Sequence, residues 1–379
     1  MTTGTCAAIA AAAATKRLLL GIDTEKQMLM TPKKVLVERP VTCVDYMEGR
    51  FAIYKTQKSS GDDPDVTDGV FVFAKIEMIS AEQVEEAKKS LCFEDEAYPN
   101  LYLDGGMGVG RIALGGMEQA VGQAAINSAP RAMIFSEVAE ICTLAEYDKP
   151  LKITIMIPDG VFLASKTFNP NLGITGGISV LGTSGILEPM SEKAIVDTID
   201  LEIRTRYNRG ERALLVTPGN YGQSYAKDLL GLDINKGVKC SNYIGETLDL
   251  AVSYGYEKLL LVGNFGKLVK LAAGIMNTHS KVADGRMEIL AVHTMLSGGS
   301  VTVGEQIMAC VNTEQVLEIL KKNKLLEPVM KRIISQIEYY IHRRVGEKLR
   351  VGVIIFSESK GLLGETTGSS DLLADFKEE

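Results

Sequence analysis

KLLLVGNFGKLVKLAAG, residues 258–274, carries an unbroken apolar run from Leu259 to Val262 that stops on Gly263 and reopens as a helical pattern. The same order recurs in ALLVTPGNYG (213–222), and RVGVIIFS (350–357) supplies a third apolar run. Strands buried on both faces read as continuous apolar runs, and parallel strands need a long crossover, usually a helix. Helical patterns near 243–254, 286–297, 302–310, 313–323 and 326–344 lie around and between these runs. Strands alternating with helices predict a doubly wound, Rossmann-like α/β domain over residues 207–357. Its turns at 217–222 and 262–267 then fall at the carboxyl ends of parallel strands, where open α/β sheets bind ligands.

Upstream, residues 1–206 predict an α+β domain with a mixed sheet and glycine-rich loops. VLVERPVTCVDYM (35–47), RFAIYKT (50–56), VFVFAKIEMI (70–79) and LKITIMIP (151–158) are rich in β-branched and aromatic residues and read as strands. The opening MTTGTCAAIAAAAATKRLLLG (1–21) reads as a polar loop feeding an alanine-rich helix. Thr2, Thr3 and Thr5 are its candidate N-caps and Gly21 its stop. Further helices are expected over 81–90 and 131–145, and from a cap at Ser191. Residues 358–379, acidic and rich in Gly and Ser, are expected to form a partly disordered tail.

Composition narrows the function by exclusion. Lys and Arg total 41 against 48 Asp and Glu, a formal charge of −7, and no basic stripe with interleaved aromatics suggests nucleic acid. The six cysteines are scattered singly, so no zinc site is expected and reduced thiols in a cytoplasm are the natural reading. The apolar run Ala7 to Ala14 precedes Lys16 and Arg17, the reverse of a signal peptide, and is too short to span a bilayer.

Four glycine-bearing loops could carry chemistry. GDDPDVTDG (61–69) clusters Asp62, Asp63, Asp65 and Asp68, which could hold a divalent cation, orient polar groups of a ligand, or merely form an Asx-type turn. LDGGMGVG (103–110) imitates a nucleotide fingerprint, but the strand-like RIALGGM follows where that motif needs a helix, so a glycine hairpin is expected. GITGGISVLGTSG (173–185) offers amides and hydroxyls suited to carboxylates, or a plain connection. The strand-end turns add Lys267 and Lys270. His279, in MNTHSKVADGR, is a candidate proton acceptor or ligand contact.

In this order, MTTGTCAA, GDDPDVT, DGGMGVGR, AINSAPRAM, GITGGISVLGTSGILEPMS, TPGNYG and VGNFGKLVKLAAGIMNTHSKVADGR resemble the cobalt-precorrin-5B C1-methyltransferase family, the CbiD type, from residue 2 to about residue 300. The resemblance implies methylation of carbon 1 of cobalt-precorrin-5B to cobalt-precorrin-6A in anaerobic cobalamin biosynthesis. S-adenosylmethionine is the implied methyl donor, and the fold is not that of a standard class I methyltransferase. No protein-bound metal, nucleic acid or membrane partner is expected, and a homo-oligomer is compatible. The chain departs from the family pattern by carrying Asp68 and Asn264 where His is usual.

Within that resemblance, Asp63, Asp65 and His279 are the candidate catalytic residues. Thr217, Gly219, Asn220, Gly263, Asn264 and Gly266 are expected to form the donor pocket. Thr3, Gly4, Thr5, Thr175, Gly176, Gly177, Lys267 and Arg286 are expected to hold the carboxylates of the tetrapyrrole. The alternative reading is a non-catalytic corrinoid-binding or carrier protein of the same fold.

Overall fold

A computed structural model describes residues 1–61, 65–167, 169–170, 172–182, 185–186, 192–233 and 237–377, without the side chains of Asn220 and Tyr221. The chain divides into two compact units, Met1–Ser191 and Glu192–Glu379. Among the described residues no helix is long and apolar enough to cross a membrane.

The first unit opens with α1 (Thr3–Leu20), capped by the Thr2 hydroxyl and stopped by Gly21 in a left-handed conformation. A hairpin of β1 (Lys26–Met30) and β2 (Leu36–Pro40) follows. Then come β3 (Thr42–Met47), β4 (Phe51–Gln57), β5 (Phe71–Met78), α2 (Ala81–Lys89), β6 (Leu101–Gly105), β7 (Gly108–Val109), β8 (Arg111–Ile112), α3 (Ser128–Leu144) and β9 (Leu151–Met156). The unit closes with α4 (Gly160–Leu163), β10 (Ile174–Thr175) and β11 (Gly177–Ile178). Strands pair in the order β3-β4-β5-β9-β6, antiparallel except for β6 against β9.

The alanine run explains how α1 sits. Residues Cys6 to Ala14 have no exposed surface, because α1 packs on both α3 and the sheet strands β4 and β5. Alanine is the best helix former and has no bulk, so the helix can be enclosed without leaving a polar face in the core.

Residues 105–110 do not form the expected hairpin. β8 pairs with β10 antiparallel and β7 with β11 in parallel. The glycines are there for close backbone approach: a Cβ on Gly108 would lie 1.7 Å from the Ile157 carbonyl oxygen, and one on Gly160 or Gly177 would lie 2.1 or 2.3 Å from that of Gly108. Sequence spacing showed the glycines, but strand partners some 65 residues away in the chain decided their use.

The second unit begins with α5 (Glu192–Asn208), whose Ile199 and Ile203 are buried in its core. The expected boundary at 206/207 therefore falls inside a helix. β12 (Ala213–Thr217), α6 (Asn220–Asp228), β13 (Gly237–Lys239), α7 (Ile244–Tyr254) and β14 (Lys258–Asn264) follow. Next are α8 (Phe265–Leu268), a 3-10 turn (Val269–Ala273), α9 (Arg286–Leu296), α10 (Val301–Met308), α11 (Thr313–Lys322), α12 (Leu326–Val345), β15 (Arg350–Ser357), β16 (Gly361–Glu365) and α13 (Ser369–Asp375). The sheet order is β13-β12-β14-β15-β16, with parallel neighbours except β16, which runs antiparallel to β15.

Both faces of this sheet are covered, which is why its central strands are apolar throughout. Leu214, Val216, Leu259, Leu261, Val353 and Ile355 pack in one core with α5, α7 and α9 to α12. Leu215, Leu260, Val262, Ile354 and Phe356 pack in the other with Tyr225 and Ala226 of α6 and Leu372 of α13. The expectation of a disordered tail beyond 357 is corrected through residue 377: β16 adds to the sheet edge, and the buried Ser369 hydroxyl accepts the Val353 amide at 3.0 Å. Composition suggested disorder because the contacts that hold this segment are made with distant chain.

Two stability outcomes follow from this packing. Gly108→Ala should cost more than about 3 kcal/mol, because its Cβ meets fixed backbone at a left-handed φ. Gly176→Ala, also left-handed but with open space around the Cβ, should cost only about 1–2 kcal/mol. Urea melts check both; equal losses would contradict the close-approach account.

Candidate functional site

In the first unit, the start of α1 is closed by the chain itself. The Thr2 and Gly4 amides donate to the carbonyls of Gly185 and Leu181, and the Thr5 hydroxyl donates to Gly185 O at 2.6 Å. Thr3 and Thr5 are buried, and a Cβ on Gly4 would lie 2.6 Å from Pro130 Cγ. These residues fasten the backbone at Leu181 and Gly185. Thr175 and Gly176 are exposed, whereas Gly177 is in the glycine contact with Gly108.

Ser60 and Asp65 close on a buried lysine. Lys58, 2% exposed, donates from Nζ to Ser60 Oγ at 2.7 Å and Asp65 Oδ2 at 2.5 Å. Asp65 Oδ1 accepts from the Thr67 amide and hydroxyl, and Asp68 Oδ1 accepts from the Ser60 amide. Asp62 and Asp63 lie outside the described residues. Burial pushes the Asp65 pKa up, but hydrogen bonds from Lys58 and Thr67 outweigh it and leave the carboxyl below its ordinary value.

The second unit brings most of its expected residues together in one cavity of about 590 Å³. Chain exits explain its place. After β12 the chain enters α6 on one face of the sheet; after β14 it enters α8 on the other, so a crevice opens between neighbouring parallel strands. Pro218, Gly219 and Gly222 line it from the β12 side, and Asn264, Gly266 and Lys267 from the β14 side. Lys270, Thr278, His279, Ser280 and Arg286 come from the segment after α8. Thr217 and Gly263 lie in the strands just behind, buried.

Most of the charged side chains here are held by their own neighbours. Lys267 Nζ donates to the carbonyls of Pro218 at 3.0 Å and Ser241 at 3.4 Å. Lys270, 2% exposed, donates to the carbonyls of Thr278 at 3.2 Å and Ala283 at 2.7 Å. Burial lowers the pKa of both lysines. Asp284 grips Arg286 through Nε and Nη2, at 2.5 and 2.8 Å, and the Arg286 hydrogen bond pulls its pKa down to about 2. Asn264 caps α8, its Oδ1 accepting the Gly266 amide at 2.8 Å.

His279 Nδ1 accepts the Lys281 amide at 3.1 Å, while its own amide donates to Asn277 Oδ1. An imidazole that accepts through Nδ1 carries its proton on Nε2 when neutral. His279 therefore offers a donor, and the expected proton acceptor is already engaged.

Asn242 and Glu358 also line the cavity, and sequence reading passed over both. Glu358 directly follows β15, so the strand-end rule could have found it. Asn242 follows β13, whose three residues are too short to read as a strand.

Two measurements test these readings. Asp65, depressed in the folded state, adds stability that is complete above its unfolded pKa of about 3.9 and is lost as pH falls through the lower folded value. Asp65→Asn should thus melt below wild type at neutral pH, with the gap closing in acid; a pH-independent gap would contradict it. Nitrogen-15 NMR should find neutral His279 as the Nε2–H tautomer, and a dominant Nδ1–H form would overturn its assignment as a donor.

Comparison with known proteins places this chain in a family. The profile described as "CbiD" matches residues 1–189, and that described as "CbiD, C-terminal domain" matches residues 277–367. The chain is 40% identical over 383 residues, spanning 100% of itself and 95% of the relative, to the cobalt-precorrin-5B C(1)-methyltransferase of Ruminiclostridium cellulolyticum. It is 33% identical to the protein of that name in Clostridioides difficile, over 99% of this chain and 96% of the relative. A crystal structure of the cobalamin biosynthesis protein cbiD from Archaeoglobus fulgidus aligns at 25% identity and a TM-score of 0.38, over 76% of this chain and 83% of that one. The ordered motifs, both profile matches and the full-length relatives agree: this chain belongs to the CbiD family.

Proposed function

We propose that this chain transfers a methyl group from S-adenosylmethionine to carbon 1 of cobalt-precorrin-5B, giving cobalt-precorrin-6A in anaerobic cobalamin biosynthesis in the cytoplasm. The observation that carries the reading is the 40% identity to a cobalt-precorrin-5B C(1)-methyltransferase along the whole chain. The strand order of the second unit, with its crevice at the point where chain exits diverge, supports a Rossmann-like ligand domain. The cavity volume falls within the usual range for small-molecule sites, about 300–1,000 Å³.

The donor supplies an electrophilic methyl on a sulfonium: the ring carbon forms the new C–C bond as the C–S bond breaks, and a ring proton is lost to restore charge balance. The macrocycle is itself a carbon nucleophile, so the protein's main task is to fix the reacting atoms in line. Positioning of this kind is worth up to about 7–11 kcal/mol. The buried and clamped cations of the cavity suit that task, since they are already held in place before a ligand arrives.

Asn264, at one of the two positions where the family pattern has His, caps α8 through Oδ1. That role needs an acceptor and no titrating group, which is compatible with retained activity. Purified protein mixed with S-adenosylmethionine and cobalt-precorrin-5B should yield a product heavier by one methylene, with the demethylated donor released in equal amount. Stoichiometric corrinoid binding without mass gain would replace the enzyme with a carrier protein.

A further inference from the structure

The polar atoms of the second-unit cavity divide unevenly between donors and acceptors. Its side-chain acceptors are largely consumed inside the protein. Asn264 Oδ1 takes the Gly266 amide, Asn242 Oδ1 takes the Thr278 hydroxyl at 3.3 Å, His279 Nδ1 takes the Lys281 amide, and both Asp284 oxygens take Arg286. What remains for a ligand is a set of donors: the Nδ2 groups of Asn242 and Asn264, His279 Nε2–H, Arg286 Nη1, and an N–H on each of Lys267 and Lys270. Neither lysine has a carboxylate within hydrogen-bonding distance among the described residues; for Lys270 the nearest is Asp284 at 3.9 Å. The acceptors left over are the hydroxyls of Thr278 and Ser280, and Glu358, which is exposed.

Such a set selects its ligand by charge and hydrogen-bond polarity. A carboxylate is acceptor-only and negative, matching the donors and supplying a counter-charge for Lys267 and for the two cations that share Asp284. Lys267 is a half-buried cation held only by carbonyls, which is costly, and an incoming anion offsets that cost. The methyl donor fits poorly. Its sulfonium and ammonium are cations, and its ribose hydroxyls and adenine amino group ask for acceptors that the cavity has mostly spent.

We infer that this cavity binds carboxylate side chains of the tetrapyrrole acceptor, with Lys267, Lys270 and Arg286 as their counter-charges and His279 as a hydrogen-bond donor. The inference rests on the methyl-transfer reading for the identity of the acceptor, and it moves the donor out of the crevice expected from sequence. These residues position the macrocycle through its rim.

The remaining carboxylate source is the amino-acid end of the donor, and binding measurements on the full chain separate the two. Three probes serve: a cobalt corrinoid with free acetate and propionate groups, the same corrinoid fully esterified, and S-adenosylhomocysteine. The free acid should bind, with affinity falling as salt rises, and the ester should bind at least about tenfold more weakly, the size expected for losing charge-assisted hydrogen bonds. Lys267→Met and Arg286→Gln should each weaken the free acid about tenfold or more and leave S-adenosylhomocysteine binding unchanged.

Equal binding of acid and ester overturns the inference, as does a loss confined to S-adenosylhomocysteine, which would return the cavity to the donor. Unchanged affinity for all three probes in folded variants also overturns it. If a variant misfolds, the acid–ester comparison and the salt dependence of the wild type decide alone. Methyl transfer with an unaltered KM for the acceptor in Lys267→Met sinks this inference and spares the enzyme. The expected corrinoid binding without methyl transfer does the opposite.

Discussion

The site in the second unit depends on the parallel pairing of β12 with β14. Parallel neighbours cannot be joined by a tight turn, so the chain between them must travel over the sheet. Here it goes out through α6 on one face and returns through α7 on the other, adding β13 on the way. The segments that leave β12 and β14 consequently part, and the gap between them is the cavity. Sheet connectivity makes this opening.

That opening is then furnished by segments with ordinary structural duties. Asn264 caps a short helix, Lys267 ties the ends of two strand-exit loops together through their carbonyls, and Asp284 pins Arg286. The cap engages the Asn264 acceptor oxygen, and the contacts of Lys267 and Arg286 each leave an N–H donor over. The bias toward donors is a by-product of how the loops are held, which makes it rigid. An anion bound there, as proposed, would meet groups already held in place, so little conformational entropy would be lost on binding.

The first unit solves a different problem, that of enclosing an almost entirely alanine-faced helix. Small side chains let α1 lie against α3 and the sheet at once, and the start of the helix is satisfied by the carbonyls of 181 and 185. The glycine contact at 108, 160 and 177 ties the strand ends of the same unit together. Residues that look like ligand-binding loops in sequence are thus largely occupied with backbone packing. Glycine and threonine serve both purposes, and spacing alone does not separate them.

Local chemistry made part of this protein legible in its sequence. The cap and stop of α1 were readable because Thr2 and Gly21 act on their own neighbours, and the parallel core strands because burial on both faces demands unbroken apolar runs at 214–216 and 259–262. The strand-end location of Gly219, Asn264, Gly266 and Lys267 followed from those runs, and the order of seven motifs pointed to the family. Tertiary structure alone decided what depends on distant partners: that β16 and α13 join the fold, that α5 belongs with the second unit, and that Gly108 meets Ile157. It also decided which end of each amide and imidazole is left unengaged, because a side chain's residue type names both its donor and its acceptor, and only the neighbour that takes one of them determines which is left.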